Sequence, residues 1–390
     1  MRSGKQKRLL IIWCLLLLIW LFFITIPSLF KNQTGTLIFD PNEYASYYDR
    51  GGWIHSSGAP VSEYPQIPTY LFGLNRLISD SFPQNIQFGV FYAVFSLEMM
   101  IVLFFLIKVL EDLLPHKNKP FALLMFLPPV LYFALNRFDI LPALICLLAI
   151  KKAQKQQWIF ASILLAIATF TKWYPILLFP GFFVYAGFQE NKHNWKMVFA
   201  FLMTAMVILL PTFIQGGYAA ILAPYQFHFV RGMEYVALPV LISSLLENWL
   251  IAPQVLNFSF LFFQFSSPLF CIFQKIDTLD NLVDYGVLCI ALFILFSRIN
   301  SPQWFLWLMP FLVLSIKDKK DVLLILFYNL ITYIFFPIVF NSYGNSSFPL
   351  KVLAVLSYLI LSFLIVRSIR RITINLTPFF LSLKQKVSVE

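Results

Sequence analysis

Charged residues are scarce in this chain, and their scarcity excludes a soluble globular protein. Asp, Glu, Lys and Arg together make up 12% of its 390 residues, whereas about 25% is usual for a soluble domain. Cysteine is rare as well. The four cysteines form no CxxC pair, which argues against a zinc ribbon or a dithiol redox motif. The chain also lacks a P-loop, a GxGxxG turn, an HExxH helix and a GxSxG elbow, so no motif indicates a nucleotide-binding domain or a familiar hydrolase.

Hydrophobic residues are abundant instead, at 59% of the chain, and the mean hydropathy is +0.77. They are collected in runs, and a run of roughly 20 apolar residues can cross a bilayer as a helix. We therefore predict an all-α fold, a polytopic transmembrane helical bundle of about 12 spans. The bundle forms one domain over 1–371, with a short tail at 372–390. The predicted spans cover 9–30, 88–110, 120–135, 138–151, 158–171, 175–188, 197–215, 255–274, 282–298, 302–316, 322–341 and 350–367.

The distribution of basic residues predicts the orientation of the bundle. The net charge is +11, and most of the 29 Lys and Arg residues fall in cytoplasmic loops if both termini are placed in the cytoplasm. This bias explains the charge without a nucleic-acid partner and predicts a multi-pass protein of the plasma membrane. The first span is expected to stay attached, because its apolar run is longer than that of a cleaved signal peptide. The two longest extracytoplasmic segments are then 31–87 and 216–254.

The first extracytoplasmic segment interleaves carboxylates with aromatic residues. Aromatic faces with carboxylate partners suit a bound sugar, and a carboxylate near the membrane surface can act as a general base. An ordinary solvated loop with interfacial aromatic residues has the same composition, so both interpretations stay open. The candidate residues in this segment are Asp40, Tyr44, Asp49, Glu63 and Tyr64.

Basic side chains occur in three further extracytoplasmic segments. Arg137 and Asp139 occupy a tight turn between spans, where charged residues are usually paired for structural reasons or functional. Lys172 stands alone among aromatic residues, which suits a phosphate at headgroup depth but also suits a lysine that only snorkels to the interface. His228 and Arg231 are three residues apart, so in a helix they would share a face and could bind a phosphate together.

In chain order, the motifs resemble those of glycosyltransferase family 87, the polyprenyl-phosphate-mannose-dependent α-mannosyltransferases of the GT-C superfamily. The resemblance covers about residues 9–340. Its last motif opens the tenth predicted span with a proline, which is also an ordinary way to start a helix. The motifs that carry the resemblance are Asp40 to Tyr44, Gly58-Ala59-Pro60 with Glu63-Tyr64-Pro65, Arg137-Phe138-Asp139, Thr171 to Pro175, His228 to Glu234, and Ser301 to Trp304 with Gln303.

The resemblance implies a GT-C-like fold. It also implies transfer of a hexose, mannose by analogy, from a polyprenyl-phosphate donor to a glycan or glycolipid acceptor on the extracytoplasmic side, with inversion. It gives the role of general base to Asp40 or Asp49. It implies no cofactor and no metal, since cationic side chains can hold a monophosphate. The residues implied for the donor phosphate are Lys172, His228, Arg231 and Arg137. Those implied for sugar and acceptor are Tyr44, Glu63, Tyr64, Asp139 and Gln303.

Two other functions fit a protein of this class. A lipid or solute transporter would have charged residues near the bilayer midplane and repeated halves, whereas the only acid we find in the middle of a span is Glu98, and no repeat is detectable. A polysaccharide polymerase or ligase of related architecture would use a diphosphate-linked donor in place of a monophosphate-linked one.

Overall fold

All regular structure is helical in the part of the chain that the computed structural model describes. This part comprises residues 2–26, 40–55, 63–190, 194–245, 253–273, 276–344 and 346–372. The all-α prediction is therefore confirmed for these ranges. The predicted Gly58-Ala59-Pro60 motif lies outside them, as does the tail after Ile372.

The helices vary widely in length, from long apolar rods to single turns that bend the chain. The main α-helices are α1 (Arg2–Trp20), α2 (Pro41–Gly51), α3 (Gln66–Asp80), α4 (Gln87–Leu113), α5 (Pro128–Asn136), α6 (Ile140–Gln154), α7 (Trp158–Thr171), α8 (Phe179–Glu190), α9 (Trp195–Val230), α10 (Leu238–Leu245), α11 (Pro253–Gln264), α12 (Ser267–Phe273), α13 (Leu279–Leu295), α14 (Phe305–Leu314), α15 (Lys319–Tyr333) and α16 (Phe348–Arg371). The 3-10 helices at His116–Phe126, Tyr174–Leu178 and Pro302–Trp304 lead into α5, α8 and α14.

Several of these helices are long and apolar enough to cross a bilayer, as expected of a helical membrane protein. By length and composition, four qualify: α4, α9, Lys319–Tyr343 and α16. A fifth is counted if His116–Phe126 and α5, which meet at a bend of 64°, form one broken span. The count of about 12 spans stays a prediction, since most of the other predicted spans coincide with shorter helices such as α6, α7 and α13.

Helix α9 continues past the end of its predicted span. The prediction stops at residue 215, but the helix resumes after a break at Gly217 and runs to Val230. Gly217 has φ +62°, a left-handed conformation that is easy only for glycine. This break redirects the chain without ending the helix, so residues predicted to lie in a loop, including His228, sit in a final helical segment.

The segment predicted to be the first extracytoplasmic loop is mostly helical in its described part. It contains α2 and α3, which pack on each other through a stack of Tyr47 on Phe72, with ring centroids 4.5 Å apart. Both rings are buried. Neither helix is apolar on all sides, because only the face that packs against the bundle has to be apolar.

Polar contacts gather at the two ends of α4. At its first residue, Tyr48 donates to Gln87 Oε1 at 3.2 Å. In its last turn, Asp112 accepts from Lys151 at 2.8 Å. A helix of 27 residues is about 40 Å long, so these contacts mark opposite ends of the bundle.

At the Asp112 end, a buried ion cluster joins α15 to α16. Arg367 donates to Asp321 Oδ1 at 2.7 Å and to Ser315 Oγ at 2.8 Å, and Arg371 donates to both oxygens of Asp321. Asp321 is 4% exposed. A buried carboxylate shared by two guanidinium groups stabilises a fold mainly because removing it leaves buried charges unpaired.

We expect Asp321→Ala to destabilise the protein by about 3–5 kcal/mol, because Arg367 and Arg371 would lose their shared partner. Asp280→Ala is the matched control. Asp280 also pairs with a basic residue, Lys317, but it is exposed, and exposed pairs contribute less than about 1 kcal/mol. Thermal unfolding in detergent measures both. Equal shifts in the two variants would contradict the role given to the buried cluster.

Candidate functional site

Helix α2 is attached to the turn between α5 and α6 by its N-terminal residue. Asp40 caps the helix, with Pro41 in the first turn and the backbone N–H of Glu43 donating to Asp40 Oδ1 at 3.5 Å. The backbone N–H of Asp40 donates to Asn136 Oδ1 at 2.9 Å. Asn136 is fully buried, so the start of α2 is fixed against the end of α5.

Arg137 adds an ionic attachment at the same point. Its guanidinium donates to Asp40 Oδ2 at 2.6 Å, and its Nε lies 3.6 Å from Glu43 Oε1. Burial alone would lower the pKa of Arg137, but the carboxylates of Glu43 and Asp40 raise it well above its ordinary value. Arg137 is therefore a fixed positive charge with two carboxylates around it.

Two further carboxylates of this region differ in their surroundings. Arg50 donates from Nε and Nη2 to the two oxygens of Glu63, a bidentate pair. Asp49, by contrast, points out of the site and is exposed on α2. Tyr64 donates to Glu43 Oε1 at 3.4 Å, and burial together with the charge of Glu43 raises the pKa of its hydroxyl well above the usual value, so it stays a donor.

Lys172 lies in a pocket of aromatic rings. Its Nζ is 3.3 Å from Asp139 Oδ1, and the same oxygen accepts from Trp307 Nε1 at 2.7 Å. The ammonium group is 5.1 Å from the ring centroid of Tyr64 and 4.5 Å from that of Phe138, within the range of cation–π attraction. Asp139 is fully buried and does not line the cavity, so it pairs with Lys172 on the side of the lysine that faces the protein interior.

The end of α9 supplies a second group of basic side chains. Burial lowers the pKa of one of them, His228, to about 4. His228 Nε2 is 3.0 Å from the carbonyl oxygen of Glu63, and its ring meets Trp173 edge-on at 4.7 Å. Arg231 follows the last helical residue and pairs with Glu234 at 2.9 Å. Arg298 donates to the carbonyl oxygens of His228 and Phe229. Burial and the charge of Arg231 both lower the pKa of Arg298, as expected for neighbouring positive charges.

These side chains surround one cavity of about 900 Å³. Such a volume is in the range of small-molecule sites. Its polar wall contains both acids and bases. Its remaining wall is aromatic and aliphatic, with contributions from Leu261, Phe265, Phe293, Phe335 and Phe336. In the described ranges, no three His, Cys, Asp or Glu side chains come together as a metal site would require.

The structure brings most of the sequence-predicted residues to this cavity, but not all of them. The predicted residues that line it are Glu63, Tyr64, Arg137, Lys172, His228, Arg231 and Gln303. Asp40, Tyr44, Asp49 and Asp139 do not. Asp40 and Asp139 stand behind lining residues as their ionic partners. Tyr44 is buried in the bundle, where its hydroxyl donates to the carbonyl oxygen of Leu135.

Other lining residues were not among the predicted ones. Glu43 lies within the Asp40–Tyr44 motif, and its side chain faces the cavity. Trp304 and Trp307 supply stacked rings beside Gln303. The helix-cap pattern of Asp40-Pro41-Asn42-Glu43 was a signal for α2, and would have shown that Asp40 is occupied by the backbone. For Arg298, only its position just before the Ser301 motif pointed to the site.

A scan of models of known protein families finds none that matches this chain. A search of curated proteins likewise finds no significant match.

We expect Asp40→Asn to lower the stability of the protein by about 3 kcal/mol, because Asn can still cap α2 but leaves Arg137 without its closest partner. Asp49→Asn, an exposed change on the same helix, should leave the unfolding midpoint unchanged. Thermal unfolding of the two variants in the same detergent checks this. A stable Asp40→Asn protein would show that the ion pair does not anchor α2.

Proposed function

We propose that this protein is a membrane glycosyltransferase that moves a hexose from a polyprenyl-phosphate donor to a glycan or glycolipid acceptor, with inversion at the anomeric carbon. The observation that carries the proposal is the composition of this cavity. Carboxylates, cations, stacked aromatic rings and an apolar wall all line it. These groups match the parts of the proposed reactants: an acceptor hydroxyl, a phosphate, a sugar ring and a lipid chain.

The phosphate would be bound by the cations on one side of the cavity. Lys172, Arg231 and Arg298 line it, and the charge on a leaving phosphate grows during transfer. Preorganised cations that face a growing negative charge stabilise the transition state more than the ground state. Burial and the charge of Arg231 lower the pKa of Arg298, and an anion bound beside both side chains would offset the repulsion between them.

The sugar would stack on the aromatic ladder beside Gln303. Trp304 lies on Trp307 with centroids 4.9 Å apart, and Trp307 lies on Tyr174 at 4.4 Å. Trp304 and Trp307 both line the cavity. A ring face of this kind binds the apolar face of a hexose, while Gln303 offers an amide for its hydroxyl groups.

The lipid would follow the apolar wall. Leu261 in α11 and Phe265 just after it line the cavity and remain exposed, at 40% and 50% of their area. In a bilayer, such an apolar surface lies against acyl chains. A polyprenyl chain can therefore leave the cavity along α11 without crossing a polar layer.

We expect Arg231→Gln to reduce sugar transfer by about 100-fold, as is typical when one stabilising donor is removed from a transition-state site. The matched control is Arg76→Gln. Arg76 also pairs with an acid one helical turn away at 2.9 Å, but it does not line the cavity. The assay uses purified protein, radiolabelled polyprenyl-phosphate mannose, glucose or galactose, and a lipid and glycan extract as acceptor.

Two results would contradict the proposed function. If the wild-type protein forms no covalent product with any of these donors but moves them across liposomes, it is a transporter. If it transfers only from diphosphate-linked donors, it is a polymerase or ligase of related architecture.

We also expect Trp304→Ala to raise the KM for the sugar donor about twofold to tenfold, because stacking on the ring contributes about 0.5–1.5 kcal/mol. Trp304→Phe keeps an aromatic face and should recover most of this loss. Steady-state kinetics with the best donor measure both. An unchanged KM in Trp304→Ala would place the sugar elsewhere in the cavity.

A further inference from the structure

Four carboxylates belong to the region of α2, and the structure separates them by what holds each one. Asp40 is buried, caps α2 and is paired with Arg137 at 2.6 Å. Asp49 is exposed away from the cavity. Glu63 lines the cavity, but Arg50 donates to both of its oxygens. Glu43 lines the cavity and has looser contacts, at 3.4 Å to Tyr64 and 3.6 Å to Arg137.

The backbone explains why Glu43 is held so loosely. A glutamate three residues after a helix cap commonly bonds back to the backbone N–H of the cap residue. Here that N–H donates to Asn136 instead, at 2.9 Å. The carboxylate of Glu43 is thus relieved of a capping role and turns into the cavity.

We propose that Glu43, and not Asp40 or Asp49, accepts the proton of the acceptor hydroxyl, an inference that rests on the proposed function. As the acceptor oxygen forms its bond to the anomeric carbon, the bond from that carbon to the phosphate oxygen breaks. The hydroxyl proton passes to Glu43, and the polyprenyl phosphate leaves with the bonding electron pair. Glu43 returns the proton to water after the products depart.

The position of Tyr64 supports this assignment. Its hydroxyl contacts Glu43, while the ammonium group of Lys172 lies 5.1 Å from its ring centroid. Tyr64 therefore contacts both the carboxylate of Glu43 and the ammonium group of Lys172, one of the cations proposed to bind the phosphate. Inversion requires the attacking oxygen and the leaving oxygen on opposite sides of the anomeric carbon, so a base and a phosphate-binding cation must stand apart across the sugar. Glu43 and Lys172 both line the cavity, whereas Asp40 lies behind Arg137 and Asp139 lies behind Lys172.

Asp40 becomes a positioning residue in this arrangement. It holds Arg137, and Arg137 in turn lies beside Glu43. Loss of Asp40 should therefore reduce activity together with stability, whereas loss of the Glu43 carboxylate should reduce turnover with little effect on folding.

The test compares Glu43→Gln, Glu43→Asp and Asp49→Asn with the wild type, and uses Asp318→Asn as a control. Asp318 is an exposed helix cap, and Asn caps as well as Asp does. Transfer is measured with the radiolabelled donors named above. Donor binding is measured separately, by competition with unlabelled polyprenyl phosphate, and folding by thermal unfolding.

We expect Glu43→Gln to lower kcat by about 10²–10⁴-fold, the usual contribution of a general base. Its affinity for polyprenyl phosphate should stay within a factor of about two of the wild-type value. Its unfolding midpoint should stay within a few degrees of that of the wild type. Glu43→Asp, which keeps a shorter carboxylate, should recover part of the activity. Asp49→Asn and Asp318→Asn should both be as active as the wild type.

The inference is overturned if Glu43→Gln keeps more than a tenth of the wild-type kcat, or if Asp49→Asn abolishes transfer. It is also overturned if Glu43→Gln loses donor affinity or stability in proportion to its activity, because Glu43 would then bind or support the fold. If the wild type and the Glu43→Gln variant both transfer sugar, only the assignment of the base is contradicted. A wild type without transfer contradicts the proposed function itself.

Discussion

The attachment of Asp40 to Asn136 and Arg137 is the interaction on which the rest of the cavity depends. It joins residues almost a hundred positions apart and fixes the start of α2 against the end of α5. Because the carboxylate of Asp40 and its backbone N–H are both occupied there, α2 has a defined rotation. That rotation turns Glu43 toward the cavity, buries Tyr44 and leaves Asp49 outside. A shift of this one contact would change which acid meets the cations of the opposite wall.

The helical fold follows from the apolar runs, because a run that must satisfy its own backbone in lipid has only helical geometry open to it. Predicted spans such as 88–110 and 158–171 correspond to α4 and α7 with small differences at their ends. Helices α2 and α3 were not predicted. Their stability comes from packing contacts such as Tyr47 on Phe72, and a search for long apolar runs does not detect a short helix with one buried face. The continuation of α9 was hidden by Gly217, which looks like a helix end in sequence.

Part of the site could be predicted in the same way. Arg137 stood out because charged residues at membrane depth are costly and are usually paired or functional. Lys172 stood out as a lone lysine among aromatic residues, and His228 by its spacing of three residues from Arg231. The choice among the carboxylates could not be made from sequence. Asp40 and Glu43 are three residues apart in one motif, and their different positions are decided by Asn136, which sequence alone does not place beside them. Arg298 was missed as a site residue for a related reason, since the carbonyl oxygens that it contacts belong to α9 and approach it only in the folded bundle.

The charged side chains around the cavity are not all balanced by partners of opposite charge. Asp40 and Glu43 share the single charge of Arg137, which leaves one negative charge in excess on that wall. Lys172 and Arg231 each have one acidic partner, but Arg298 contacts only carbonyl oxygens among the residues that the structure describes, which leaves one positive charge in excess opposite. The cavity therefore carries a permanent electric field between its walls. A bound molecule with one anionic end is oriented by that field before any specific contact forms.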